Sequence, residues 1–242
     1  MTLGAAFVGT SGWSYPHWRG TFYPGGLPRD EELAFCAERF GALEINNTFY
    51  SLPGREAVLG WRKAVPKGFP FAVKASRYLT HMKKLKDPRQ GVDSFFAAVD
   101  ALGPNLGPVL FQLPPNWRVN IKRLRAFLDA LPDGRRFAFE FRDTSWITEE
   151  TLDLLRERKA AFCIYHLAGY FSPKEVTTDF IYIRLHGPGD KYQGSYPERD
   201  LADWAGAISA WTAEGLDVYC FFDNDQEGYA AHNAARLAEM IS

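Results

Sequence analysis

The chain has 242 residues, of which 46% are hydrophobic and 24% charged, a composition that excludes a disordered or fibrous protein and suits a globular domain. Its formal net charge is −1, from 28 Lys and Arg against 29 Asp and Glu, which argues against a general nucleic-acid-binding coat and predicts that any anion site is local. No apolar run approaches the roughly 18 residues of a membrane span, so we expect no membrane association.

The three cysteines, Cys36, Cys163 and Cys220, lie far apart in the sequence and form no CxxC pair. An odd number without pattern predicts reduced core thiols in a cytoplasmic protein. The first ten residues, MTLGAAFVGT, have no basic region ahead of their apolar stretch, so we expect no signal peptide.

Strand and helix signals alternate along the whole chain. Eight short segments, rich in β-branched or aromatic residues, are typical of strands: residues 5–11, 42–50, 69–76, 107–114, 136–143, 160–167, 179–186 and 216–224. Helical patterns fill most of the gaps, over residues 29–40, 55–65, 88–102, 120–131, 148–158, 198–214 and 226–241. Asn120 and Thr148 are the expected N-caps of two of these helices.

The alternation predicts the fold class. Strands that alternate with helices favour a parallel sheet, and a count of eight favours closure, so we expect one α/β domain over residues 1–242, a (β/α)8 TIM-like barrel. An open doubly wound sheet is the alternative. Residues 168–178 are too few and too rich in Gly, Pro and Phe for a helix, so the sixth helix is expected to be reduced or missing.

Charged residues occupy one face of several predicted strands. In the segment RFAFEFRD the three phenylalanines share one face, and Ala138, Glu140 and Arg142 share the other. Four other segments separate in the same way. The first, sixth and eighth segments are ambiguous, so His166 and Asn224 can point either way. The polar faces together carry Glu44, Asn46, Lys74, Gln112, Glu140, Arg142, Arg184 and His186.

Two interpretations of this polar set remain open. Barrel interiors are usually apolar, and an unpaired buried charge costs several kcal/mol, so these groups must pair, reach water or bind a ligand. The two carboxylates against three cations suit a closed ion-pair network. The charges lie late in their strands, however, where barrel proteins have their sites, and the surplus cation predicts a small anionic ligand carrying phosphate or carboxylate.

The loops after the strands carry aromatic and basic residues. Trp13 and Tyr192 are among the aromatic residues there, which either stack on a flat ligand or close small apolar cores under the loops. Residues 77–87 form a basic insertion that contains His81. This insertion is either a solvated face or a lid that grips an anion.

Seven runs of sequence resemble the uncharacterised DUF72 (YecE-like) family: VGTSGWSYPHWRGTFYP, LEINNTFYSLP, FAVKASRYLTH, GPVLFQLPP, FEFRDTSW, YIRLHG and FFDND…GYAAHNA. They span nearly the whole chain. The resemblance implies a TIM-like barrel and no particular reaction. The stretch YHLAGYFSP around His166 departs from the family pattern. The family's polar motif positions fall on Glu44, Asn46, Lys74, His81, Gln112, Glu140, Arg142, Arg184, His186 and Asn224.

The leading functional hypothesis is an enzyme of hydrolase or isomerase type that acts on a small anionic, phosphorylated or sugar-like molecule without an organic cofactor. We expect Glu140 and Glu44 to act as acid and base, with His186 and Lys74 as further catalytic groups. The residues expected to bind the substrate are Arg142, Arg184, Asn46, Gln112, His81, Asn224, Tyr192 and Trp13.

Several alternatives stay open. Lys74 is a candidate for a Schiff-base lysine, although the neighbouring Glu residues oppose the lowered pKa that this role needs. Glu44, Glu140 and His186 are candidates for a divalent metal site, although the adjacent cations compete with a metal. A nucleic-acid processing or binding protein would use the basic insertion and the aromatic rim for a nucleotide end or a flipped base. A non-catalytic sensor of a small ligand is the third class. The sequence predicts no oligomeric state.

Overall fold

Eight parallel strands close into a barrel in the computed structural model, which describes residues 2–241. Neighbouring strands follow chain order, and the ring closes through the pairings of the first strand with the last and of the fifth with the sixth. The strands are β1 (Ala6–Ser11), β2 (Ala42–Ile45), β3 (Phe71–Lys74), β4 (Leu106–Leu113), β5 (Phe137–Phe141), β6 (Ala161–Leu167), the two-residue β7 (Tyr170–Phe171), β8 (Phe180–Leu185) and β9 (Asp217–Phe222). The predicted TIM-like barrel is confirmed, and the open sheet is wrong.

Helices connect most of the strands on the outside. The predicted N-caps are confirmed, because the side chain of Asn120 accepts a hydrogen bond from the Arg123 amide and that of Thr148 from the Thr151 amide. The helices are α1 (Glu32–Ala37), α2 (Arg55–Lys63), α3 (Pro88–Val99), α4 (Ile121–Leu128), α5 (Glu149–Glu157), α6 (Glu198–Ala213) and α7 (Tyr229–Ile241). Short 3₁₀ turns replace some ends of the longer predicted helices.

No α-helix lies between β6 and β8, where residues 168–179 are all described. The chain turns back through Ala168 and Gly169, at φ values of 49° and 76°, and β7 then pairs antiparallel with the end of β6. This hairpin occupies the place of a crossover helix. The expected loss of the sixth helix is confirmed.

The outer core forms where the apolar strand faces meet the helices. Phe137, Phe139 and Phe141 of β5 all belong to it, and Phe141 stacks on Trp146 with ring centroids 5.3 Å apart. Each fully buried phenylalanine stabilises the fold by about 1.5 to 3 kcal/mol relative to an exposed one. The opposite face of β5, which carries Ala138 and Glu140, therefore points into the barrel, as the alternation predicts.

The inside of the barrel is apolar only in its lower part. Glu44 and Glu140 lie two positions after the small interior residues Ala42 and Ala138. Because side chains at i and i+2 share a strand face, the charges form the next layer toward the C-terminal mouth. The apolar layer consists of Ala42, Ala72, Leu110, Ala138, Ala161, Cys163, Phe180, Tyr182, Tyr219 and Phe221.

The residues of this inner layer show which side chains of β6 and β9 point into the barrel, a point that the sequence left open. Cys163 faces inward, so His166 lies on the outer face of β6, where its Nδ1 is 3.0 Å from the Tyr196 hydroxyl. Phe221 also faces inward, which places Asn224 outside and Asp223 inside.

All three cysteines are buried and free, as expected for core thiols. Across residues 2–241, no helix combines the length and the apolar character that crossing a bilayer requires.

Candidate functional site

Arg184, near the end of β8, is the centre of a buried ion network at the barrel mouth. It is 0% exposed. Its Nε and Nη2 donate to the two oxygens of Glu44 at 3.0 and 2.7 Å, and its Nη1 donates to Glu140 Oε2 at 2.9 Å. Nη2 also donates to Asp223 Oδ2 at 3.1 Å. Burial lowers the pKa of Arg184, but the three carboxylates outweigh it and hold the pKa well above the ordinary value.

Glu44 has both carboxylate oxygens occupied. In addition to Arg184, the hydroxyl groups of Tyr182 and Ser11 donate to it, the first at 2.6 Å. The Tyr182 hydroxyl and the Arg184 guanidinium thus satisfy a carboxylate that is 0% exposed. Glu44 therefore serves as the counter-ion of Arg184.

Glu140 lies between two guanidinium groups. Arg142 Nε donates to its Oε1, and Arg184 donates to its Oε2. Burial raises the pKa of Glu140, but the charges of Arg142 and Arg184 outweigh burial and hold this pKa well below its usual range. Glu140 is therefore ionised at neutral pH and is a weak proton acceptor.

His186 connects Asp223 to Arg142. Its Nδ1 lies 3.0 Å from Asp223 Oδ2, and its Nε2 lies 3.0 Å from Arg142 Nη2. A guanidinium only donates hydrogen bonds, so Nε2 accepts from Arg142 and the Nδ1–H group donates to Asp223. This chain of bonds fixes the plane of the Arg142 guanidinium.

Lys74, the last residue of β3, is the buried cation without a carboxylate partner. Among the described residues it forms no ion pair, and its Nζ lies 4.3 Å from the centroid of the Phe49 ring. The His81 ring packs against the same phenylalanine nearly at a right angle, with ring centroids 4.9 Å apart. Burial, reinforced by the charge of Arg184, lowers the pKa of Lys74 to about 8.

His81 belongs to the same mouth. Burial lowers its pKa, and the positive charges of Lys74 and Arg142 lower it further. Its Nδ1 lies 2.9 Å from the Thr80 hydroxyl. The basic insertion, which includes a short π-helix over Tyr78–Met82, therefore brings His81 beside Lys74 as a neutral ring at pH 7.

The predicted surplus of cations is wrong, because the sequence prediction omitted Asp223. Burial raises the pKa of Asp223, but Arg184 and the hydrogen bond from His186 lower it below the ordinary value. Three carboxylates then match three cations. Residues 218–222 are apolar on both faces, so the period-two pattern that located Glu44 and Glu140 gave no signal for Asp223.

Four groups at the mouth retain unused hydrogen-bonding atoms. Lys74 Nζ, Arg142 Nη1 and Asp223 Oδ1 make no hydrogen bond to any described residue. Gln112, the neighbour of Glu140 in the β4–β5 ladder, uses its Nε2 to donate to the Leu113 carbonyl at 3.1 Å and leaves its Oε1 unpaired. These groups combine two cations with two acceptors.

Tyr192 covers His186 from the loop after β8. Its amide donates to the His186 carbonyl at 2.7 Å, and its ring meets the imidazole edge-on at 5.5 Å. Gly187 permits this turn at a φ of 113°, where an added Cβ would lie 2.3 Å from the Gln193 carbonyl oxygen. Tyr192 is 42% exposed and forms part of the rim.

Three predicted site residues lie apart from the ion network. Asn224 donates to the Gly194 carbonyl at 2.8 Å and to Asn233 at 2.9 Å, and so fastens the loop after β8 to α7. Trp13 and Asn46 line a separate surface cleft of about 330 Å³. The Trp13 ring packs on outer-core residues, and the Asn46 Oδ1 atom is buried without a hydrogen-bond partner.

The carboxylates considered for a metal already bind Arg184. Over residues 2–241, no group of three or more His, Cys, Asp or Glu side chains is arranged to hold a metal ion. The oxygens of Glu44 and Glu140 instead accept hydrogen bonds from guanidinium groups. This donor set does not fit a divalent cation.

The fold and the mouth define a TIM barrel whose C-terminal end holds a buried, charge-balanced polar network. The chain belongs to the DUF72 family, described as proteins of unknown function, whose sequence profile matches residues 7–242. The resemblance seen in the sequence is thereby confirmed.

Named relatives share this description. UPF0759 protein YunF of Bacillus subtilis is 25% identical over 270 residues, which cover 97% of this chain and 94% of that protein. UPF0759 protein YecE of Escherichia coli K12 is 30% identical over 152 residues, 61% of this chain and 53% of that one. The crystal structure of a DUF72 family protein from Thermotoga maritima has a TM-score of 0.89 at 27% identity and covers 98% of this chain and 99% of its own.

Proposed function

We propose that this chain is an enzyme of hydrolase or isomerase type that performs acid/base chemistry on a small anionic ligand, phosphorylated or sugar-like, at the C-terminal mouth of the barrel. One observation carries the proposal. Lys74 and Arg142 have unused N–H groups at the mouth, whereas Glu44 and Glu140 lie fully buried and bound to Arg184. The positive and negative charges of the network are thus separated in space, with free cationic groups at the mouth and the two glutamates buried beneath them.

Arg142 is the proposed anchor for the anionic group. Glu140 and His186 hold two of its nitrogens, which leaves Nη1 free on a guanidinium whose plane is fixed. A planar donor that is already oriented loses little side-chain entropy when it binds carboxylate or phosphate. Its side chain is 10% exposed, so water screens the interaction weakly.

Lys74 is the proposed proton-transfer group. A pKa of about 8 is close to neutral pH, where a group exchanges protons efficiently with a substrate. Asp223, with one free oxygen, is the carboxylate available to the same ligand. The expected acid and base roles of Glu44 and Glu140 stay predictions; the proposal gives both residues the task of orienting the guanidinium groups.

A thermal-shift screen tests this function. We expect a phosphorylated sugar or a small sugar acid, at about 100 times its Kd, to raise the melting temperature by roughly 5 to 10 °C, since such binding adds about 2.7 kcal/mol to a domain of this size. Arg142→Gln should abolish the shift, because it removes the anchor without adding a charge. Glu140→Gln should weaken the ligand-induced shift, because this variant removes the carboxylate that orients the Arg142 guanidinium.

Arg136→Gln is the matched control. Arg136 precedes β5 at the opposite end of the barrel and pairs with Asp217 at 2.7 Å, so it should leave the ligand shift unchanged. The proposed function fails if no anionic compound stabilises the wild type more than Arg142→Gln. It also fails if Arg136→Gln removes the shift equally.

A second candidate is binding of a single-stranded nucleic-acid end. Tyr50 and Tyr78 are 68% and 43% exposed at the rim, and Arg77 lies 5.7 Å from the Tyr50 ring. Exposed aromatic rings beside cations are typical of surfaces that stack bases. Labelled DNA and RNA 12-mers should then bind with an affinity that falls as salt rises, by a slope of about −0.7 per phosphate contacted. Absence of salt-dependent binding at low ionic strength rejects this candidate.

A further inference from the structure

We propose that Lys74 is a covalent site, which forms an imine with a small carbonyl compound that carries a carboxylate or phosphate group. This inference rests on the proposed anion site at the same mouth. It adds the chemical class of the substrate and the atom that reacts with it.

The surroundings of Lys74 suit an uncharged amine. No described carboxylate forms an ion pair with it, although Glu44, Glu140 and Asp223 belong to the same network, because those three bind Arg184 instead. The Lys74 side chain lies against the Phe49 ring and is 8% exposed. A desolvated lysine near another cation is the usual setting of an imine-forming lysine.

The position of the amine is fixed from both ends. Lys74 ends β3, and its own carbonyl accepts a hydrogen bond of 2.7 Å from the Thr48 hydroxyl, which holds the backbone. Its Nζ rests 4.3 Å from the centre of the Phe49 ring, beside His81. The nucleophile is therefore held in place before a substrate arrives.

The step balances without a further reactant. The Nζ lone pair attacks the carbonyl carbon, and the proton released from nitrogen passes to the carbonyl oxygen to form a carbinolamine. With one further proton from solvent, that oxygen leaves as water, and the C=N bond forms as a protonated imine whose nitrogen keeps its remaining hydrogen and carries the positive charge. The anionic group of the carbonyl compound remains free to contact Arg142, so one ligand uses both cations of the mouth.

Borohydride trapping tests the imine. The protein is incubated at pH 8 with pyruvate or with dihydroxyacetone phosphate, reduced with sodium borohydride, and digested for mass spectrometry. We expect Lys74 to be modified at least about tenfold faster than Lys122, an exposed lysine on α4, because far more of Lys74 is unprotonated at this pH. Faster trapping of pyruvate indicates a preference for a carboxylate, and faster trapping of dihydroxyacetone phosphate indicates a preference for a phosphate.

Two variants complete the experiment. Lys74→Met should eliminate the preferred adduct, and Arg142→Gln should slow trapping at Lys74 with either probe but not with acetone, which has no anionic group. The imine is rejected if Lys74 reacts no faster than Lys122. If any anionic compound of the thermal-shift screen still stabilises the wild type more than Arg142→Gln, the anion site of the proposed function survives this rejection; if none does, both fail.

Discussion

Replacing Arg184 by methionine is expected to lower the free energy of unfolding by about 3 to 5 kcal/mol, because it leaves buried carboxylates without their counter-ion. Arg184 bonds Glu44, Glu140 and Asp223 at once and is fully buried with the first two. Without Arg184 these carboxylates remain charged and unpaired in a region that water cannot enter. Urea unfolding at pH 7.5, with Arg184→Lys as a charge-retaining second variant, measures the loss.

The pH dependence of Arg184→Met separates this cause from simple loss of packing. In the wild type the pKa values of Glu140 and Asp223 are lower in the folded chain than in the unfolded chain, where carboxyl groups have values near 4. The stability that these two carboxylates contribute at neutral pH is therefore lost as pH falls below about 4. In the variant Asp223 loses its main cation and Glu140 loses one of its two guanidinium partners, so their folded pKa values move up toward the unfolded ones. The difference in stability between wild type and Arg184→Met should therefore shrink as pH falls below about 5.

Arg156→Met is a matched control for that variant. Arg156 also contacts three carboxylates, those of Glu149, Asp153 and Glu175, but it lies on the surface with its side chain 38% exposed. Solvent screens these pairs, so the loss should be much smaller. Equal losses for Arg184→Met and Arg156→Met would contradict the buried-network interpretation.

Lys74→Met is expected to stabilise the protein, by about 2 to 3 kcal/mol at pH 7. The folded pKa of about 8 lies below the ordinary value of 10.5, and each unit of such a shift corresponds to about 1.4 kcal/mol. A buried ammonium thus costs stability below pH 8. Methionine is unbranched and similar in length, so it can pack on Phe49 without the charge.

The sign of this effect gives a specific pH profile. Between pH 8 and 10.5 the unfolded chain binds more protons at Lys74 than the folded chain does, so the penalty disappears as pH rises. The stability difference between Lys74→Met and wild type should therefore shrink from pH 7 to pH 9.5 in urea unfolding. Lys122→Met, at an exposed site, should show no such trend. A destabilised Lys74→Met, or a gain that is independent of pH, would contradict the prediction.

A gain in stability on removing Lys74 would also separate function from structure. If the polar interior were only an ion-pair network that closes the barrel, each member would be expected to stabilise it. A lysine that costs stability is typical of a group retained for chemistry rather than for folding. The trapping experiment then tests the same residue for reactivity.

Much of the fold and part of the site were predictable from the sequence. The barrel follows from strand and helix signals that repeat locally, and Asn120 and Thr148 mark helix starts within a few residues of the structure. The inner positions of Glu44, Glu140 and Arg184 follow from period-two alternation, because their outward neighbours are apolar. Such information is contained in neighbouring residues and needs no tertiary contact.

Only the tertiary structure decided which charges meet. Alternation left the side of Asn224 open and did not identify Asp223, because residues 218–222 are all apolar and only pairing with β1 and β8 sets their parity. The sequence did not show that Arg184 is shared by three carboxylates, one of them 140 positions away in sequence. Burial and the charge of Arg184 lower the pKa of Lys74 to about 8, although Asp223, Glu140 and Glu44 act in the opposite direction. Alternation along a strand determines the face of a side chain, whereas its partners depend on how distant strands align.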